Sequence, residues 1–177
     1  YMITRTNKET VEFEEDDVFD SVTNTGGVVN CVADTISVML NDLVKNTGKT
    51  GVSLVESLDY FIGAAISGVA SAGRDMESAV KGIVIGVLKG LDLKGDEAYL
   101  TTRALAGSVI KAAAHTKGDV AVVTKGLIGG VFYSAKNIGV DAEKAVYEAL
   151  SGALAAGDNI SPKVVSKVQF AVSEVHK

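Results

Sequence analysis

The sequence is poor in the residues that characterise several large classes of proteins. Its 177 residues include one cysteine, one proline and no tryptophan. One cysteine excludes a disulfide framework, and the near absence of proline excludes collagen although glycine occurs 19 times. The hydrophobic fraction of 47% is too high for a disordered chain. We therefore predict a globular protein with a single domain over residues 1–177.

Long uninterrupted apolar runs are also lacking. Charged residues such as Asp59, Lys81, Lys89 and Lys125 interrupt the most apolar stretches, whereas a membrane helix needs about 20 apolar residues. The sequence therefore predicts no transmembrane span. No leader pattern is visible, which favours a cytoplasmic protein, but the chain begins with Tyr1 and a removed leader stays open. Cys31 stands among valines, which predicts a buried thiol.

Negative charge is concentrated in the N-terminal segment, residues 1–25. The formal net charge is −5, and the body of the chain after this segment is neutral. A neutral body has no basic surface to displace counterions from phosphates, so we expect no nucleic-acid partner. The acidic segment is interpreted as a docking patch for a basic protein partner or as a solvated face. The acids of this predicted patch are Glu12, Glu14, Glu15, Asp16, Asp17 and Asp20.

An internal repeat dominates the body, residues 26–177. Glycines recur at intervals of about 22 residues, at Gly51, Gly73, Gly95, Gly118 and Gly139. The segment beginning at Lys81 returns 44 residues later at Lys125. The repeating unit is therefore about 44 residues long and has two unlike halves. Two copies occupy about residues 51–138, and a degenerate third copy follows.

Each half of the unit has the pattern of one helix. Apolar residues recur three and four positions apart, as in the stripe Val80, Val84, Val87, Leu88 and Leu91. Glycines and N-cap acids mark the turns between the halves. The predicted helices span about residues 28–46, 53–71, 75–92, 96–116, 119–137, 141–156 and 161–175.

These helices predict an all-α fold. Their short connections make successive helices antiparallel, so we expect about seven helices in stacked hairpins of about 44 residues. The number of repeats leaves a closed bundle and a short α-solenoid open. Alternating residues in segment 2–13 predict a small β-hairpin or an extended arm before the helices.

Small residues line one face of several predicted helices. Gly82, Gly86 and Gly90 lie four apart, and so do Gly126 and Gly130. Glycine inside a helix costs about 0.5–1 kcal/mol relative to alanine, so its recurrence implies that another backbone comes close. We predict that these five glycines are helix-packing positions.

No pattern in the chain identifies a reaction. The segment 46–51 resembles the end of a phosphate-binding loop, but Leu43 stands where the first glycine is needed. His115 and His176 have no metal-ligating partner three or four residues away. The scattered serines and only two histidines identify no Ser–His–acid set. We therefore predict no catalytic, cofactor or metal site.

The runs Val80–Gly86 and Asn137–Val146 resemble those of uncharacterised bacterial proteins with Gly- and Ala-rich helical repeats. The resemblance covers about residues 75–160 and implies no activity. Its motifs are helix caps and small helix faces.

The leading hypothesis is a non-enzymatic structural or protein-interaction protein that binds a protein partner or associates with itself. The alternative is a lipid-associated or hydrophobic-ligand-binding helical protein, since the mean hydropathy is +0.26 and some helices have two apolar faces. An enzyme whose carboxylates are brought together by folding stays open as a third hypothesis.

Overall fold

The computed structural model describes residues 25–48, 55–56, 59–72, 75–91, 93–116 and 119–175. These residues form seven helices and no strand, which confirms the predicted all-α class. The predicted N-terminal hairpin or arm lies outside the described residues. So do the acids of the predicted docking patch, which are Glu12, Glu14, Glu15, Asp16, Asp17 and Asp20.

The seven helices agree closely with the predicted ones. They are α1 Thr25–Thr47, α2 Asp59–Ala72, α3 Met76–Gly90, α4 Asp96–His115, α5 Val120–Ile138, α6 Ala142–Ile160 and α7 Pro162–Val175. Val55 and Glu56, before α2, are also helical. Within the described ranges, no helix is long and apolar enough to cross a membrane.

Acidic N-caps and turn glycines delimit the helices. The side chains of Asp75, Asp119 and Asp141 accept hydrogen bonds from first-turn N–H groups, with shortest distances of 3.2, 2.9 and 3.0 Å. Each bond satisfies a donor that has no partner within its helix. Gly95 and Gly139 have φ values of +60° and +88°, which glycine adopts without steric strain. The predicted turn chemistry at these positions is confirmed.

The helices form two layers, with α1, α3, α5 and α7 in one and α2, α4 and α6 in the other. The most extensive contacts join α1 to α3, α3 to α5 and α4 to α6. From α2 onwards successive helices also touch, as the predicted hairpins require, but less extensively than these three pairs. Each helix therefore makes its most extensive contact with the next helix but one along the chain, not with its immediate neighbour.

The contact between α1 and α3 is a backbone contact at three glycines. A methyl group at Gly82, Gly86 or Gly90 would lie 2.7–2.9 Å from a carbonyl oxygen of α1. The carbonyls belong to Val29, Ala33 and Ser37, each 53 residues earlier than the glycine that it meets. A constant offset means that the two helices run parallel and in register.

Glycine–carbonyl contacts also join α3 to α5 and α4 to α6, with an offset of 49 residues. In each pair, a glycine of the later helix faces a carbonyl oxygen of the earlier one. The pairs are Gly126–Glu77 and Gly130–Lys81 between α3 and α5, and Gly152–Arg103 between α4 and α6. In these three pairs, α1 with α3, α3 with α5 and α4 with α6, the helices therefore approach as closely as their backbones allow.

Larger apolar side chains fill the space between the layers. The predicted stripe of α3 and the turn that follows it is buried at every position, with Val80, Val84 and Val87 fully enclosed. Ile62 and Ile66 of α2 belong to the same core. Helix α3 is the centre of the fold because it contacts α1 and α5 in its own layer and α2 in the other.

The prediction of a buried thiol at Cys31 is wrong. Cys31 is exposed, because α1 turns Val29, Ala33 and Ile36 towards the other helices. A residue two positions from Val29 and Ala33 lies on the opposite side of the helix.

The glycine contacts predict that replacing glycine by alanine changes the free energy of unfolding in opposite directions at two sites. We expect Gly86→Ala to lower the free energy of unfolding by about 1–3 kcal/mol, because the new methyl group overlaps the Ala33 carbonyl. Gly68→Ala is the matched control, because Gly68 is exposed inside α2 and nothing lies within 4 Å of its added methyl group. It should raise stability by about 0.5–1 kcal/mol.

Urea denaturation of the two variants and the original chain measures these differences. Equal stabilisation by both substitutions would show that α1 and α3 do not meet through Gly86.

Candidate functional site

A large groove opens on one side of the fold, between α3, α5, α6 and α7. Its volume is about 1080 Å³, and we call it the apolar groove. Phe132 and Tyr133 of α5 and Tyr147 of α6 stand in it with exposed fractions of 42%, 50% and 66%. Leu150 and Val172 extend the apolar lining of the groove. Three large aromatic side chains therefore face solvent together.

The groove lies where the glycine contacts of the layer come to an end. The 44-residue repeat places Phe170 and Glu174 of α7 at the positions that Gly126 and Gly130 occupy in α5. These large residues replace the small pair that lets α5 meet α3 backbone to backbone. The contact of α7 with α5 is accordingly less extensive than that of α5 with α3.

Charged side chains border the apolar groove. Lys125 of α5 pairs with Glu174 of α7 at 3.8 Å, and both side chains are about two-thirds buried. The Lys136 ammonium lies 4.5 Å from the centre of the Phe132 ring, a cation–π contact. The aliphatic part of the Lys81 side chain passes over Gly129. A methyl group at Gly129 would lie 3.5 Å from the Cδ atom of Lys81.

Two acids complete the border, Glu77 in the first turn of α3 and Glu143 in the first turn of α6. The border therefore has three lysines and three glutamates. This arrangement can hold an apolar body between charged edges.

The structure also brings together a polar cluster that the sequence analysis did not identify. Ser108 of α4 donates a hydrogen bond to Asp59 of α2. Lys111 pairs with the other carboxylate oxygen of Asp59 at 3.3 Å. Nδ1 of His115 lies 2.8 Å from the Lys111 carbonyl oxygen. Because a carbonyl only accepts, Nδ1 carries the proton of this bond.

The hydrogen bonds of the polar cluster indicate an interhelical link. A nucleophilic serine needs a base that takes its proton, and histidine serves best. In the part of the chain that the structure describes, Ser108 bonds to Asp59, and His115 bonds to backbone. The offset between Ser108 and Asp59 is 49 residues, the same as in the glycine contacts of α3 with α5 and of α4 with α6. Knowledge of that offset would have identified the pair from the sequence.

The other predicted positions have separate locations. The five predicted helix-packing glycines lie at the contacts between α1, α3 and α5 and do not line the apolar groove. His115 ends α4, and His176 lies outside the described residues. Among the residues that can be described, no cluster of three or more His, Cys, Asp or Glu side chains could hold a metal ion.

No protein family, curated protein or solved structure matches the chain. The resemblance to bacterial Gly- and Ala-rich repeats therefore stays a prediction. In the part of the chain that the structure describes, the apolar groove brings together the exposed aromatic side chains Phe132, Tyr133 and Tyr147.

The polar cluster yields a stability prediction. Asp59→Ala should lower the free energy of unfolding by about 1–3 kcal/mol, because the buried Ser108 hydroxyl loses its acceptor. Asp34→Ala is the matched control, since Asp34 pairs with Lys89 at 3.6 Å while both side chains are well exposed. Its effect should stay within about 0.5 kcal/mol.

Thermal unfolding of both variants and of Asp59→Ala/Ser108→Ala provides the measurement. Removing both partners should restore part of the loss, since no buried hydroxyl is then left unpaired. Strictly additive effects would rule out the proposed link.

Proposed function

We propose that the protein is a non-enzymatic interaction scaffold whose apolar groove binds an apolar helix face of a protein partner. The observation that supports this most directly is the exposure of Phe132, Tyr133 and Tyr147 in one groove. Aromatic residues are enriched at protein interfaces, and they are frequent among the residues that contribute most to binding.

The shape of the apolar groove favours a helix as the bound element. A helix lies well in a groove that accepts side chains at every third and fourth position. The groove already lies between helices, and charged residues of both signs border it. An amphipathic helix with apolar residues on one face and mixed charges at its edges matches that surface.

A small hydrophobic ligand is the second candidate, and the groove is large enough to hold one. Sites for small molecules have volumes of about 300–1000 Å³, and the apolar groove reaches about 1080 Å³. An acyl chain could lie along the aromatic side chains without any protein partner. The two candidates predict different bound species.

Site-specific photo-crosslinking in cells that produce the chain distinguishes these candidates. With p-benzoylphenylalanine in place of Tyr147, we expect a discrete polypeptide adduct, because the side chain protrudes from the groove. The same probe at Leu100 is the control, since Leu100 is 57% exposed but lies outside the groove. Phe132→Ala should weaken binding of the identified, purified polypeptide by about tenfold.

Equal adducts from positions 147 and 100 would contradict the groove as the binding site. Native mass spectrometry of the gently purified protein tests the second candidate. Excess mass that extracts as lipid, with no polypeptide adduct at position 147, would replace the scaffold by the ligand-binding protein.

A further inference from the structure

The first helix of the array, α1, has an apolar face that no other described helix covers. Its residues recur three and four positions apart, so they lie on one side of the helix. The α1 face consists of Cys31, Thr35, Val38 and Met39, and all four residues are exposed. Val38 and Met39 have exposed fractions of 61% and 47%. The Thr35 hydroxyl donates a hydrogen bond to the Cys31 carbonyl oxygen at 3.0 Å, so it needs no partner outside α1.

The α1 face lies next to the core between the two layers. Met39 follows Ile36 by less than one helical turn, and Ile36 belongs to that core. The well-exposed pair of Asp34 with Lys89 lies on the outer surface, and Asp34 is about 140° around α1 from Met39. The α1 face therefore borders the space beside α2, at the edge of the layer that α2, α4 and α6 form.

The alternation of the layers assigns this space to the chain that precedes α1. Successive helices lie in different layers, so a helix before α1 would belong to the layer of α2, next to α2 itself. From α2 onwards each helix touches the next one along the chain, whereas α1 makes an extensive contact with α3 alone among the described helices. A preceding helix would give α1 the neighbour in the other layer that the later helices have. Residues 1–24 lead directly into α1 and are therefore the favoured occupant.

The sequence just before α1 has the pattern of a short amphipathic helix. Four successive acids, Glu14–Asp17, stand where negative charge stabilises the first turn of a helix. Val18, Phe19 and Val22 follow, and their spacing places them on one side of that helix. The acids on the opposite side would be Asp16, Asp17 and Asp20. Such a helix can bury its apolar side against the fold while these acids stay in solvent.

We propose that residues 14–23 form a helix that covers the α1 face and extends the layer of α2, α4 and α6 by one member. Helices joined by a short turn run antiparallel, so a turn at Asn24 places Val18 level with Cys31. The residues before the proposed helix then lie level with Val38. This surface is separate from the apolar groove, which is lined by α3, α5, α6 and α7, so the inference does not depend on the proposed function.

Disulfide formation with Cys31, the single cysteine of the chain, tests this helix. In Val18→Cys the new thiol faces α1 at the level of Cys31, so mild oxidation of the dilute full chain should close an intramolecular disulfide. Asp20→Cys is the matched control, because its thiol is nearer to Cys31 along the chain but points away from α1. We expect Val18→Cys to close about tenfold faster, as measured by loss of free thiol and by mass spectrometry of the digested product.

The same oxidation in concentrated guanidinium shows what the unfolded chain does. There Asp20→Cys should close at least as fast as Val18→Cys, because the loop that it closes is shorter. Equal rates without denaturant would overturn the inference, because the side of the segment that carries Val18 would then have no preference for α1. A disulfide between two chains in place of the intramolecular one would also overturn it, because the α1 face would then meet a second chain.

A second pair of variants tests the cover on the α1 face without a new thiol. Met39→Ser should lower the midpoint of thermal unfolding of the full chain by about 3 °C more than Leu100→Ser does, because it removes apolar surface from a covered site. Leu100 is the matched control, since it is a large apolar residue of α4 that is 57% exposed and lies away from α1. Equal shifts would overturn the inference, because the α1 face would then be as open as the surface around Leu100.

Discussion

The architecture depends on the contact between the backbones of alternate helices. A glycine on the later helix faces a carbonyl oxygen of the earlier one, and any side chain at that position would overlap it. Each such glycine lowers the intrinsic stability of its helix by about 0.5–1 kcal/mol relative to alanine. The compensation is a close contact within the layer, which leaves the larger apolar residues of the same helices to fill the space between the layers.

The same constraint explains where the surface opens. The layer continues from α1 through α3 to α5 because each later helix has small residues at four-residue spacing. Phe170 and Glu174 interrupt that spacing in α7, so the last helix cannot repeat the contact. The apolar groove lies beside α7, the helix that lacks these glycine contacts.

The sequence was sufficient to predict the helices, because their signals are local. The stripe from Val80 to Leu91 and the N-caps Asp75 and Asp141 act within one helix or one turn, and the structure confirms them. The order of packing was not predictable in this way. It requires the offset between alternate helices, which is 53 residues for α1 with α3 and 49 residues, or one repeat plus five, for the later pairs. This offset becomes visible only when two helices are placed side by side. For the same reason, the sequence analysis did not identify the pair Asp59–Ser108 or the apolar groove.

The layer of α1, α3 and α5 is held by backbone contacts, and the groove beside α7 lies next to it. This arrangement is suited to binding a partner. Most side chains of the apolar groove project from α5 and α6, and these helices are held at Gly126, Gly130 and Gly152. Helices held by backbone contacts cannot shift without a clash, so the backbones that carry Phe132 and Tyr147 are held in place before any partner arrives. Binding then requires little ordering of the scaffold, and more of the energy of burying aromatic surface remains as affinity. The glycines that determine the packing of the layers thus also hold the binding surface in place.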